Sequence, residues 1–204
     1  MENWYPDMLK VPAGGTQGTL DALTSFYDAD ADIHFAELGI YQASTAEFVL
    51  KTFPNARVYL FDFDKTVQAA RQRFQDFAPR VHCFGNSNRH LDSYNWNLMK
   101  LYVENGHAPL FDYIFLDGAH TFAIDALSFF LGDRLLKPGG YFDFDDYNWR
   151  LRGSSLDPEK VPVIKEQYTD EQIDDRQVKT LVDHYVKTDP GYTEVIKNKV
   201  YRKA

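Results

Sequence analysis

Three aspartates and a histidine offer the most reactive grouping in this sequence. Asp117 closes the apolar run Tyr113-Ile114-Phe115-Leu116, and Asp145 and Asp146 close a second run, Tyr141 to Phe144. His120 follows Asp117 by three residues. Carboxylate oxygens suit a hard divalent cation such as Mg2+, which keeps several waters and accepts substrate oxygens. A cation there would hold two neighbouring substrate oxygens, lower the pKa of one hydroxyl and orient it for attack. His120, at the start of the next helix, is placed to take the released proton. The plain alternative keeps Asp145 and Asp146 as a solvated strand end and His120 as a surface residue.

The elements around these residues must bring them together. Tyr113 to Leu116 is too short for a helix and rich in aromatic and branched residues, the pattern of a buried strand. Phe122, Ala126, Leu127, Phe130 and Leu131 recur at helical spacing. Lys137-Pro138-Gly139-Gly140 then breaks the helix and permits a turn. Strand, helix and strand in that order make two parallel strands joined by a right-handed crossover. Both strands then deliver their aspartates to one carboxyl-end edge, where open α/β sheets bind ligands.

The same alternation runs upstream. Strands are expected at Ile33–Leu38, Arg57–Phe63 and Val81–Phe84, and helices near residues 45–52, 66–77 and 94–104. A further helix is expected at Thr16–Tyr27. Downstream, 150–168 reads as a loop. Thr169 and Gln172 have the spacing of a capping box for a helix reaching about Val186, and Tyr192–Ile196 with Lys199–Arg202 reads as a terminal hairpin. The expected fold is one α/β domain over 1–204, a Rossmann-like doubly wound, mostly parallel seven-stranded sheet with an antiparallel C-terminal strand. Within it, 1–30 is a leading segment in the place of a lid, 31–149 a nucleoside-binding core, and 169–204 the closing helix and hairpin.

Glu37-x-Gly39 ends the first strand ahead of a helix, whose free N–H groups suit an anion. Asp62 ends the second strand, about 25 residues on, where nucleoside-binding sheets hold the ribose hydroxyls. With Ser44-Thr45, Gly85-Asn86-Ser87, Asp117-Gly118-Ala119-His120, Lys137-Pro138-Gly139-Gly140 and Asp145-Asp146-Tyr147, these motifs resemble the class I S-adenosylmethionine-dependent methyltransferases. The closer likeness is to metal-dependent O-methyltransferases of the macrocin-sugar and catechol type. The resemblance covers about residues 33–149. It implies that Glu37 and Gly39 lie by the methionine part of S-adenosylmethionine, that Tyr41, Ser44 and Thr45 also border the cofactor, that Asp62 binds its ribose and that Asn86 and Ser87 lie near adenine. It further implies that Asp117, Asp145 and Asp146 hold Mg2+ or a similar cation, that Asp117 also borders the cofactor, and that His120 is the base. The acceptor would be a small hydroxylated molecule: a sugar, a diol or a natural product.

One departure stands out. The family shows further glycines four and six positions after the first acid, where this chain has Tyr41 and Ala43. Ala43 fits if its φ is negative. The Tyr41 ring either stacks on the sulfonium or closes the site, and the closed site would leave a non-catalytic nucleoside-binding domain. A rival resemblance exists in Asp62-Phe63-Asp64-Lys65-Thr66, the DxDxT pattern of haloacid-dehalogenase-like phosphatases, with Asp62 as nucleophile and Asp64 as acid/base. It leaves Glu37-x-Gly39 and Asp117-Gly118-Ala119-His120 without a role.

Bulk properties narrow the partners. The net charge of -8 and the lack of a basic stripe argue against nucleic acid. No apolar run approaches a membrane span, and the N-terminus lacks a signal-peptide pattern. Cys83, without an intrachain partner, fits a reducing compartment. The expectation is a cytoplasmic protein that acts on a small molecule, with a homo-oligomer compatible with the sequence.

Overall fold

The computed structural model describes residues 16–204. The five branched and aromatic runs form parallel strands β1 (His34–Leu38), β2 (Arg57–Phe63), β3 (Val81–Asn86), β4 (Phe111–Leu116) and β5 (Leu136–Phe144). β6 (Tyr192–Ile196) and β7 (Val200–Lys203) form the terminal hairpin, with β7 antiparallel to both β5 and β6. The seven strands lie in the order β3-β2-β1-β4-β5-β7-β6. From β1 the chain winds outward to β2 and β3, then returns to β4 on the other side. The switch point therefore falls between β1 and β4, where such sheets open a crevice.

Side chains alternate between two cores, as strands buried on both faces require. Phe35, Val58, Leu60, Tyr113 and Phe115 pack under α1 (Thr16–Phe26), α2 (Ser44–Thr52) and α3 (Asp64–Arg73). Ala36, Tyr59, Phe61, Ile114, Leu116 and Phe142 pack on the other face, against α4 (Tyr94–Glu104) and α5 (Phe122–Leu135). Residues 1–15, the start of the expected lid, lie outside the described residues. The described remainder, α1, lies along a sheet face: Leu23 is fully buried, Phe26 stacks on Tyr141 at 4.3 Å, and the Tyr27 hydroxyl donates to the Asp112 carbonyl at 3.0 Å.

Three differences from the sequence reading have local causes. The helix after β2 stops at Arg73 and continues as a 3-10 turn, Gln75–Arg80, because Pro79 cannot sit in an α-helical interior. Lys137-Pro138-Gly139-Gly140 belongs to β5 itself, with a register shift against Phe111 and Tyr113 and Gly139 at φ 80°. The closing helix is broken into α7 (Asp170–Asp174), α8 (Gln177–Leu181) and a π turn, Val182–Val186. Its capping box forms as expected, but Asp175 turns extended and its carboxylate accepts from the Thr180 hydroxyl at 2.8 Å. The loop between the halves holds a short α6 (Ile164–Gln167) and its own small core of Leu151, Val161, Ile164 and Ile173. Among the described residues, no helix is long and apolar enough to cross a membrane.

The C-terminal end of α2 is closed by a residue far along the chain. The Arg80 guanidinium donates to the carbonyls of Leu50, Phe53 and Ala56 at 3.0, 3.1 and 3.0 Å. Helix-end carbonyls lack partners within the helix, and a cation there also meets the negative end of the dipole. Arg80→Met, which keeps the stem, should lower unfolding free energy by about 2 kcal/mol in urea denaturation.

Candidate functional site

The carboxyl-end rim is held by backbone bonds that carry each ladder one step past its strand. Gly39 N–H donates to the Phe61 carbonyl at 2.8 Å, Asp117 N–H to Leu38 at 2.9 Å and Asp145 N–H to Leu116 at 3.0 Å. At the switch point the turn after β1 crosses the turn after β4 at minimal distance. A Cβ on Gly39 would lie 2.2 Å from the Asp117 carbonyl oxygen, and its φ is 87°. Only glycine satisfies both conditions.

Three donors converge beyond that crossing. Asp117, His120 and Asp146 each present a ligand atom, all within 4.8 Å of one another. His120 Nε2 lies 3.3 Å from the Asp146 carboxylate, and its ring packs 5.1 Å from Trp149. Burial raises the Asp117 pKa well above the carboxylate range, with Asp145, Glu37 and Asp146 adding like-charge repulsion. Burial likewise raises Asp146, against the attraction of His120, and it lowers His120. Two carboxylates and an imidazole, partly buried at Asp117 and His120 and exposed at Asp146, are a donor set that suits a positive ion. Asp145, expected as a ligand, lies outside that triplet, with Oδ1 3.6 Å from Lys199 Nζ, and its charge still adds to the repulsion on Asp117. His120, expected as a base, stands among the donors.

The turn carrying His120 is built from residues the sequence reading passed over. Asp125, in the first turn of α5, is buried and accepts from the backbone N–H groups of Ala119, His120 and Thr121. The Tyr94 hydroxyl donates to Asp125 at 3.2 Å and accepts from Ala119 N–H at 3.1 Å. That hydroxyl would lie 2.1 Å from a Cβ on Gly118, which explains the glycine of Asp-Gly-Ala-His. His120 is thereby held at φ 54°, and Asp146 at φ 55°. Tyr147 points away, its hydroxyl donating to Asp183 at 2.7 Å.

On the other side of the switch point lie the residues expected at a nucleoside. Glu37 is buried beneath the start of α2, accepting from the Thr45 side chain and Ala46 N–H. Ser44 is the exposed first residue of α2. The Asp62 carboxylate accepts N–H from Ile40 at 2.8 Å, Tyr41 at 3.2 Å and Phe63 at 2.6 Å, and a bond from Thr66. These donors fill the roughly four acceptor directions of a carboxylate. Asp64 opens α3, exposed. A saturated Asp62 beside an exposed Asp64, on a strand flanked by β1 and β3, is not the paired acid geometry a DxDxT phosphatase needs. Asn86 is buried at the end of β3, and Ser87 donates through N–H and hydroxyl to Asp92 at 2.7 and 2.6 Å. Among the described residues, Glu37 Oε2 and Asn86 Oδ1 are buried acceptors without a hydrogen-bond partner.

Tyr41 and Ala43 keep the glycine conformation without being glycine: their φ angles are 42° and 53°. The condition of negative φ at Ala43 is therefore not met. Ala43 is buried and Tyr41 half exposed. Left-handed backbone costs an L-residue about 1–2 kcal/mol. Tyr41→Gly should therefore stabilise the protein by about 0.5–1 kcal/mol, after allowance for the more flexible unfolded glycine. A urea midpoint that falls instead would show that ring contacts hold the turn.

Burial moves Glu37 from 4.5 to about 8. The folded protein then keeps the proton while the unfolded chain releases it above pH 4.5. Stability from this group is complete below pH 4.5 and is lost as pH rises to about 8, at up to about 1.4 kcal/mol per pH unit. In Glu37→Gln this component vanishes. The difference in unfolding free energy between the two proteins should slope across that window and flatten on both sides.

No family model matches this sequence, and no curated protein matches it. Solved structures do. A protein from Klebsiella pneumoniae described as an O-methyltransferase aligns with a TM-score of 0.60 at 18% identity, covering 97% of this chain and 82% of its own. A Staphylococcus aureus protein described as a caffeoyl-CoA O-methyltransferase gives 0.58 at 18% identity, over 91% and 83%. TomG of Streptomyces achromogenes, an O-methyltransferase of tomaymycin synthesis solved with S-adenosylmethionine, gives 0.57 at 18%, over 96% and 82%. The sheet order, the rim and these alignments agree: this chain has the fold of the class I O-methyltransferases.

Proposed function

We propose that this protein is an S-adenosylmethionine-dependent O-methyltransferase that uses a divalent cation such as Mg2+ and acts on a small hydroxylated acceptor. One observation carries the reading: a cation donor set and two partnerless buried acceptors share one rim, on either side of the switch point. Glu37 Oε2 and Asn86 Oδ1 have no partner, and a ligand with an ammonium at one end and an amino-substituted base at the other would supply both, the ammonium favouring the ionised form of Glu37. Gly39, Tyr41, Ser44 and Thr45 line the ammonium side and Ser87 the base side. Asp62 meets ribose hydroxyls by releasing a backbone donor, first the longest, Tyr41 N–H at 3.2 Å.

When bound, S-adenosylmethionine would supply an electrophilic methyl group and the cation would acidify the acceptor hydroxyl, whose proton would pass to solvent water. The chain holds and orients. Asp117 and Asp146 offer carboxylate oxygens. His120, kept neutral by burial, offers the lone pair of Nε2. A nitrogen that binds an ion cannot also take a proton, so we assign His120 to the ligand set and not to the base. The Trp149 ring packs against its ring.

Calorimetry and turnover together test the proposal. S-adenosylmethionine should bind, and Asp146→Asn and His120→Ala should weaken Mg2+ binding about tenfold or more while cofactor affinity stays within about threefold. Methyl transfer to a panel of diols and sugars should stop in EDTA. Unchanged Mg2+ affinity in His120→Ala with lost turnover would return that residue to the role of base. Cofactor binding without turnover on any acceptor would instead mark a binding domain.

A further inference from the structure

The turn after β1 has a glycine's backbone at two positions that are not glycine. Tyr41 and Ala43 stand at φ 42° and 53°, a region that L-residues enter at a cost. Ala43 is also the residue from which α2 starts, and alanine has no side-chain acceptor with which to cap a helix. The turn lacks both of the usual local aids, so its shape has to be held from outside.

Asp62 takes the donors. It accepts the N–H groups of Ile40 and Tyr41, while Ala43 N–H is used within the turn, on the Ile40 carbonyl. The acceptor between the two left-handed residues goes elsewhere. Arg73, the last residue of α3, donates from one guanidinium nitrogen to the Gln42 carbonyl and from the other to the Glu47 carboxylate. Glu47 lies in the first turn of α2, and its own N–H donates to the Ala43 carbonyl at 3.0 Å. The fork thus ties the middle of the turn to the helix that follows it. The guanidinium carbon lies 5.3 Å from the centre of the buried Phe74 ring. An ion pair as exposed as Arg73–Glu47 contributes little by itself. The second arm, on Gln42, gives the contact a direction that a lysine would not supply.

We propose that Arg73 is a positioning residue, which holds the turn 40–43 in the left-handed form that this chain lacks the glycines to adopt freely. The inference rests on the cofactor reading above, in which Gly39 and Tyr41 line the ammonium side. The role is indirect: Arg73 keeps that wall of the site formed before the ligand arrives, so that binding needs no reordering of the turn. Without the fork only a fraction of the molecules present the formed turn, and the apparent affinity falls by that fraction.

S-adenosylmethionine binding by calorimetry, with KM and kcat from turnover, separates this from a merely structural role. Arg73→Met keeps the stem and removes the fork. It should weaken cofactor binding about fivefold and raise KM for the cofactor, while kcat stays within about twofold. In a background of Tyr41→Gly and Ala43→Gly, checked by thermal melting, the left-handed form comes freely. There Arg73→Met should weaken binding by less than about twofold. Equal losses in both backgrounds would mean that Arg73 supports the fold at large, and no loss in either would reduce it to a surface ion pair; each result would overturn the proposal. If the wild type binds no S-adenosylmethionine, the cofactor reading fails, and hydrogen exchange decides on Arg73 separately. The Ala43 and Glu47 amides, both bonded to carbonyls of the turn, should then exchange about fivefold faster in Arg73→Met, with the Phe53 amide at the far end of α2 unchanged. Unchanged exchange at Ala43 and Glu47, or equal acceleration at all three, would overturn the holding role.

Discussion

Residue 39 has room for a hydrogen atom and nothing larger. The turn leaving β1 and the turn leaving β4 touch there, and the contact sets the distance between the two halves of the rim. The Glu37 carboxyl adds to the repulsion that raises Asp117. A bulkier residue would push the strand ends apart and separate Asp117 from the turn after β1. The sheet supplies the parallel strands, but this one backbone approach makes their ends a single site.

Strain collects around that approach. Tyr41, Ala43, His120 and Asp146 all adopt positive φ, although none is glycine. Tyr41 and His120 are each held by a neighbouring carboxylate. Asp62 gathers the N–H groups of Ile40 and Tyr41, and Asp125 gathers those of Ala119, His120 and Thr121. The pattern is the same on both sides of the switch point: a buried carboxylate clamps a turn, and the turn aims a side chain. Such clamps keep unfavourable backbone in place where function needs a fixed geometry. Burial also raises the pKa of both clamping acids, Asp125 to about 7, so the site is assembled against desolvation as well as against backbone preference.

What could be read from the residues was what acts over short distances. The strand runs, the capping box at Thr169, the helix at Tyr94–Glu104 and the terminal hairpin depend on neighbours a few positions apart, and they are where the spacing puts them. Glu37, Asp62, Asp117 and Asp146 reach the rim because they lie at or just beyond strand ends, which is also local. The residues passed over are partners at long range. Tyr94 and Asp125 are 31 positions apart, and Thr19 and Asp143 are 124 apart. Lys199 read only as part of the terminal hairpin, since nothing near it in sequence announces Asp143 across the sheet. The break in the closing helix at Asp175 and the left-handed turns at Tyr41 and Ala43 were illegible for the same reason: tertiary contacts override local preference there.

The fold alone does not choose between an enzyme and a binding domain, since one sheet hosts many chemistries. The side chains weigh on that choice. A domain that only bound a nucleoside would need Glu37, Asp62 and Asn86, and could relax everything beyond the crossing. This chain spends buried charge there instead. Asp117, Asp125, Asp143 and Lys199 are costly to bury, and a positive φ at His120 and Asp146 adds to the cost. Apolar residues would hold the same strands together with less penalty. The expense is concentrated on the side of the site that a nucleoside does not require, and chemistry on a second substrate is the account that gives it a purpose.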